Sequence, residues 1–307
     1  MDMDFPPVRT FSYHYRRKYG HTVGKIPVDM GIPCPNRKKG GCIFCSPPSF
    51  TPSYLKSSDS VLQQIKAGKA KVLKNRFVKY FAYFQQESCT VAPVNQLISV
   101  MQSLLVDDDC VGLIISTRPD CIEMELLDEL ASVIKQSGKE CLFELGLQTV
   151  HEKSLKLLNR NHSFDDFRTA AEHILAVDSF QLSAHLIFGI PGETEKMMLN
   201  SLQVVCDMGV DALKIHHLQV IKNTPLHVLF NKGGVALFTR DAYTDFLLKA
   251  IPLIPRHVTI HRLWSTAHPD VLVAPKWNCL ASKLSADLTQ RMMEKGLWQG
   301  QAFDIAR

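Results

Sequence analysis

Hydrophobic and polar positions along this chain switch repeatedly between period 2 and period 3.6, which separates strands from amphipathic helices. Residues 21–30 alternate weakly and predict a first strand. Ser60-x-x-Gln63 has the form of a capping box. It opens a helix expected to turn Leu62, Ile65, Val72 and Leu73 inward and Lys66, Lys69, Lys71 and Lys74 outward. Residues 77–85 are rich in aromatics and predict a second strand. Val94, Leu97, Ile98, Met101, Leu104 and Leu105 then follow a helical period, and 111–116 is a β-branched third strand. Met124, Leu127, Leu130, Ala131 and Ile134 form the next helical stripe, closed by Gly138. Strands at 141–148, 180–188 and 210–218 alternate with helices begun by Ser163 and near Thr194.

Six strands alternating with helices predict βα units and a parallel sheet. Right-handed crossovers curl such a sheet into a full or partial barrel. Beyond about residue 220 the regularity falls off, with helices expected at 241–254 and 284–294 and a strand at 257–263. The expected organisation is an N-terminal arm (1–20), a core barrel (21–220) and a C-terminal extension packed on it (221–307).

Composition changes this picture little. The 307 residues are 46% hydrophobic and 21% charged, ordinary for a globular protein. No apolar run reaches the roughly 18 residues of a membrane span, so no membrane partner is expected. The first seven residues carry no apolar core of a signal peptide. Nine cysteines without such a signal point to a reducing, cytoplasmic setting and against a disulfide framework. A net charge of +5 permits a polyanionic partner without requiring one. Basic and aromatic residues interleave in the arm: Arg9, Arg16, Arg17 and Lys18 among Phe11, Tyr13, Tyr15 and Tyr19. That pattern either grips nucleic acid or packs its rings on the domain, and packing is the plainer reading. The lysine row after Ser60 reads in the same two ways, as a solvated face or a polyanion stripe.

Chemistry concentrates in the loop after the first strand, where Cys34, Cys42 and Cys45 fall within twelve residues. Soft thiolates at short spacing select zinc, copper(I) or an iron–sulfur cluster. Zinc and plain clusters take four ligands, and the next cysteine is Cys89. Three local thiolates suit a 4Fe–4S cluster with one iron left open. A zinc site completed by a distant histidine, or unconnected buried thiols, are the other readings.

The loop resembles the cluster loop of radical S-adenosylmethionine (SAM) enzymes, including Phe44 before the last cysteine. Its spacing is wider than the usual C-x3-C-x2-C and resembles the elongator-catalytic-subunit branch. From Tyr19 to Gly300 the chain is similar to YhcC-type radical SAM proteins, most clearly in 25–45, 83–85, 116–120, 144–162 and 185–193. The resemblance implies a partial (β/α)6 barrel with a C-terminal α+β extension. It implies that Cys34, Cys42 and Cys45 hold a 4Fe–4S cluster, that SAM binds the open iron, and that reduction by a flavodoxin or ferredoxin releases a 5′-deoxyadenosyl radical.

Active groups of βα barrels sit where strands end. By resemblance, Gln85 after the second strand lies in the turn that receives the SAM amino group, although 86–88 depart from the YhcC-type pattern. Gln148 is expected at the SAM ribose, Arg160 at its carboxylate, and His185 and Gly189 near its ribose and adenine. A guanidinium suits a carboxylate because two parallel N–H donors meet two oxygens. Arg118 and Asp120 after the third strand either bind a polar substrate or orient one another. Lys214 and His216 share one face of the sixth strand and are candidates for substrate contact, whereas the adjacent His217 must face away. The remaining cysteines are expected to be structural.

Two classes of function compete: a radical SAM enzyme, and a non-catalytic zinc or Fe–S protein that binds RNA or a partner. Relatives of the elongator catalytic subunit act on the wobble uridine of tRNA, which suggests tRNA as substrate by analogy; a small metabolite or a protein stays open. The length leaves no room for that relative's acetyltransferase domain, and no second cysteine triad speaks for sulfur insertion.

Overall fold

The computed structural model describes residues 5–303 except Ser57, Asn75 and Thr266. The first four residues of the expected arm and the last four of the extension lie outside it. In chain order the elements are α1 (Phe11–Tyr19), β1 (Val23–Val28), α2 (Val61–Gly68), β2 (Lys79–Phe84), α3 (Val94–Leu105), β3 (Cys110–Thr117), α4 (Met124–Ser137), β4 (Glu140–Gln148), α5 (Glu152–Leu157) and α6 (Phe164–Leu175). There follow β5 (Phe180–Phe188), α7 (Glu195–Asp207), β6 (Ala212–His217), β7 (Val220–Ile221), α8 (Pro225–Asn231), α9 (Arg240–Ala250), β8 (Thr259–Arg262), β9 (Leu272–Ala274) and α10 (Ala281–Glu294).

The predicted βα alternation forms one parallel sheet in the order β1-β2-β3-β4-β5-β6-β8. Its seventh strand comes from the region beyond residue 220: β8 pairs with β6 in parallel, Ala212 against Thr259. The reason is local, because 257–263 is a short strand whose apolar residues Val258 and Ile260 are buried like those of the six before it. The sheet is therefore a half-barrel of seven strands. β7 and β9 form a separate antiparallel pair. Among the described residues, no helix is long and apolar enough to cross a membrane.

The helices cover the outer face of the sheet and bury the main core, with Leu97, Met101, Leu127, Leu130, Phe167 and Ile174 against the strands. Strand residues of the other parity point into the barrel. At its lower end α1 closes the interior, packing Phe11 and Tyr15 on Phe81, Tyr83, Ile114 and Leu142. Thus the arm's aromatics are packing groups. Some of its cations are engaged too, Lys18 with Glu140 at 3.0 Å and Arg17 with the Tyr13 hydroxyl at 2.9 Å.

The capping box at Ser60 is present, but Leu62 is 55% exposed and Gln64 takes its place inside. Gln64 earns this position by bonding both the backbone N–H and the carbonyl of Asp29, which ties α2 to the end of β1. A π-helical turn over Lys69–Leu73 then changes the phase, and Lys69 pairs with Asp107 at 2.6 Å. At this position the lysine row is an ion-paired face.

Candidate active site

The cysteine loop lies at the upper end of the barrel, where every strand of the half-barrel points its C-terminus. Gly40 and Gly41, both at positive φ, turn the chain from a short 3-10 segment (Pro35–Lys39) back toward Cys42. Two neighbouring segments hold the loop. After β2, the Glu87 carboxylate accepts from the Cys34 N–H at 2.9 Å and pairs with Arg37 at 2.7 Å. After α5, Asn159 donates to the carbonyls of Lys39 and Gly41, and Asn161 donates to Asn36 Oδ1 at 2.7 Å. Asn36 in turn donates to the Asn159 carbonyl and to Cys42 Sγ. Glu87, Asn159 and Asn161 all adopt positive φ, strain that the loop contacts offset.

Cys34, Cys42 and Cys45 line one cavity of about 720 Å³, within the range of small-molecule sites. Phe44, Gln85, Gln148, Arg160, His185, Lys214 and His216 share its wall, as does Arg118. Asp120 and Gly189 do not line it. Asp120 pairs with Arg118 at 2.8 Å from outside. Gly189 has φ +89°, and a Cβ there would meet the Phe238 ring at 3.0 Å, so a side chain of the C-terminal region covers it. Phe44 joins a small apolar cluster with Ile187, Leu218 and Leu226 that seats the loop on β5 and β6. His217 faces the other way, onto Trp277 with ring centres 3.9 Å apart.

Arg160 is buried and fully engaged: Nη1 donates to Cys42 Sγ at 3.1 Å, Nη2 to the Gly146 carbonyl at 2.6 Å, and Nε to His162 at 3.0 Å. Gly146 carries no side chain because a Cβ would come within 3.3 Å of both Arg160 Nη2 and Gln148 Nε2. The register slips between Gly146 and Gln148, and Gln148 takes φ +75°, which aims its amide into the cavity. Burial pushes the Cys45 thiol up to about 11, and burial together with Arg160 lowers His162 to about 4.

Several buried polar atoms on this wall have no partner among the described residues: Gln148 Oε1, His185 Nε2, Ser88 Oγ, and Arg118 Nε and Nη1. An unsatisfied buried polar atom costs about 1–3 kcal/mol, so orphans that converge on one cavity mark a polar ligand's place. No three described Cys, His, Asp or Glu side chains converge as a single metal ion requires. Three thiols spread around a cavity suit a multi-iron cluster, in which each iron takes its own thiolate.

Below the cavity lies a layer of buried charge. Glu144 of β4 is fully buried, and its Oε1 accepts from the Tyr83 hydroxyl at 2.6 Å and from Lys214 at 2.7 Å. Burial pushes Glu144 up, but Lys214 and Lys25 outweigh this and hold it well below the usual carboxylate range. Burial lowers His216 to about 3, and Lys25 to about 7 against the pull of Glu144. The signal was available in one respect only: a glutamate in the middle of an apolar strand needs a cation opposite.

Comparison with known proteins agrees with the fold and with the family that the sequence resembles. Residues 34–205 match the radical SAM superfamily and residues 210–294 the radical SAM C-terminal domain. Protein YhcC of Escherichia coli K12 is 34% identical over 274 residues, covering 88% of this chain and 87% of its own. The tRNA uridine(34) acetyltransferase of Methanocaldococcus infernus is 29% identical over 168 residues, which span 53% of this chain but only 30% of that protein. The solved structure of Elp3 from the same archaeon, with its N-terminus deleted, superposes with a TM-score of 0.66 at 19% identity. It covers 90% of this chain, which spans 64% of it.

The chain belongs to the radical SAM superfamily, and within it to the YhcC-type, elongator-like proteins. It is a radical SAM enzyme, whose cofactors are a 4Fe–4S cluster and SAM.

Proposed function

We propose that Cys34, Cys42 and Cys45 hold the cluster and that SAM fills the cavity beside it, for modification of a tRNA nucleoside. Bound there, the cluster and SAM supply a 5′-deoxyadenosyl radical when an external donor such as a flavodoxin or ferredoxin delivers one electron. The carrying observation is the single cavity that joins the three thiols to Gln148, Arg118 and His185 with their unpartnered atoms.

In this reading the residues divide the work. Glu87, Asn36, Asn159 and Asn161 fix the loop. Arg160 sets Cys42 against β4 through its bonds to the sulfur and to Gly146. Arg118, whose Nε and Nη1 have no hydrogen-bond partner among the described residues, offers a carboxylate its charge and single donors, a part the resemblance assigned to Arg160. Gln148 Oε1 accepts from a hydroxyl. Phe44 and the apolar cluster around it exclude water from one side. The tRNA assignment draws on the partial likeness to the tRNA uridine(34) acetyltransferase, and Gln85 and His185 have room for either SAM or nucleoside.

Anaerobic reconstitution with iron and sulfide tests the first part. The protein should turn brown and form 5′-deoxyadenosine from SAM under dithionite. Each of Cys34→Ala, Cys42→Ala and Cys45→Ala should lose both; a cluster retained in all three variants would sink the ligand assignment. Mass spectrometry of nucleosides in bulk tRNA from cells with and without the gene tests the second part. A vanished nucleoside with an accumulated precursor supports it, and an unchanged profile refutes it.

A further inference from the structure

A second, smaller cavity of about 220 Å³ lies lower in the barrel, between the edge strands β1 and β8. Phe11, Phe77, Val23 and Gly24 form its apolar walls, and Lys25, Tyr83, Lys214, His261 and Arg262 line the rest. Lys214 and Arg262 line the cluster cavity as well, so this pair of cations is the partition between the two spaces.

Charge across the partition does not balance. Lys25, Lys214 and Arg262 stand there against one carboxylate, Glu144, which already accepts from Lys214 and Tyr83. Lys25 Nζ reaches His261 Nδ1 at 3.0 Å and stands over the Phe11 and Tyr83 rings, but meets no carboxylate oxygen within ion-pair distance among the described residues. The guanidinium of Arg262 has no hydrogen-bond or ion-pair partner among the described residues. The nearby histidines do not repair the balance, since burial holds His185 and His261 neutral, well below their ordinary range. Lys25 is lowered to about 7 chiefly by burial, with Lys214 and Arg262 adding to the shift and Glu144 opposing it. A surplus of cations converging on the wall shared by two cavities raises the local positive potential and is a site for a negative group from outside.

We propose that Arg262, with Lys214 and Lys25, binds an oxyanion of the substrate, a carboxylate or a phosphate, at the floor of the cluster cavity. The guanidinium supplies two parallel donors to two oxygens, and the ammonium groups supply charge. The apolar walls of the lower cavity leave room for a single group and not for a polymer backbone. A phosphate flanking a nucleoside and the carboxylate of a small metabolite both carry this chemistry. The inference rests on the proposed function only for naming the guest a substrate; the anion site is tested without radical chemistry.

The test uses the cluster-loaded protein with SAM present, crystallised and soaked in selenate. An anomalous selenium peak within hydrogen-bond reach of Arg262 and Lys214 is expected. In solution at constant ionic strength, inorganic phosphate or acetate should protect the protein against heat. Whichever saturates at lower concentration names the source, phosphate or carboxylate. Arg262→Gln should raise the half-saturating concentration at least tenfold, and Lys25→Met serves should Arg262→Gln fail to fold. Absence of the peak, or protection unchanged in these variants, would overturn the inference. Iron content and 5′-deoxyadenosine formation on the same samples report separately on the radical SAM assignment.

Discussion

Glu144→Gln should be the most costly single substitution inside the barrel. The glutamine keeps the shape and can still accept from Tyr83, but Lys214 loses its counter-charge while its side chain stays only 8% exposed. Breaking a buried pair from one side typically costs about 3–5 kcal/mol. A second route gives a similar ceiling. Lys214 can escape by losing its proton, and bringing a lysine from its ordinary range to neutrality at pH 7 costs about 1.4 kcal/mol per pH unit, or about 5 kcal/mol. Urea unfolding under anaerobic conditions reads the loss. With a slope of about 3 kcal/mol/M, the midpoint should fall by about 1–1.7 M. Lys214→Met placed in the Glu144→Gln background should recover a large part, because the pair removed together leaves no orphan charge. A loss under about 1 kcal/mol for Glu144→Gln, or two single effects that simply add within about 0.5 kcal/mol, would refute the coupling.

Other expectations are narrower. Lys25→Met should stabilise the protein more at pH 7 than at pH 9. A lysine at about 7 when folded, against its ordinary range when unfolded, carries its full penalty below pH 7 and loses it as pH rises, so the gain from the variant should shrink by up to about 2 kcal/mol across that window in paired chemical-denaturation curves; a constant gain would contradict it. Gly146→Ala puts a Cβ within 3.3 Å of Arg160 and Gln148. SAM affinity measured by calorimetry should fall about tenfold, roughly 1.4 kcal/mol, with iron content kept; unchanged affinity would remove Gly146 from the site. Glu87→Ala takes the acceptor from the Cys34 N–H and the partner from Arg37. Iron should pass to a chelator several-fold faster than from the native protein, and an equal rate would mean that Glu87 does not hold the loop.

The βα order and the side of the barrel that carries the chemistry were legible because both follow from local pattern. Period and strand ends place Gln148, His185, Lys214 and His216 without any long-range information, and alternation correctly sets His216 inward and His217 outward. One local reading failed for a reason that local pattern does not carry. Leu62 was counted inward on hydrophobicity, yet Gln64 occupies that face because Asp29, far away in sequence, offers it two backbone bonds. The strand at 257–263 was read as a strand of an extension packed on the barrel; its pairing with β6 lay beyond that reading, since periodicity says what an element is and not which edge it joins.

What the sequence could not reveal is which residues act as pairs. By resemblance Arg160 was expected at the SAM carboxylate; in the structure its three nitrogens bond Cys42, Gly146 and His162, contacts up to 118 residues apart. Arg118 and Asp120 were read as binding a polar substrate or orienting one another; packing shows that they pair through one nitrogen, while Arg118, on the cavity wall, keeps two buried nitrogens without a partner among the described residues. Arg262 drew no attention, being one cation at the end of a short strand. Its meaning comes from β8 closing beside β6, which sets it near Lys214 and, across the barrel opening, Lys25. A lone cation in sequence is usually a solvated one. Three of them around one carboxylate, on the walls of adjoining cavities, add their potentials at one place, and that convergence makes a charge count into an argument about what binds.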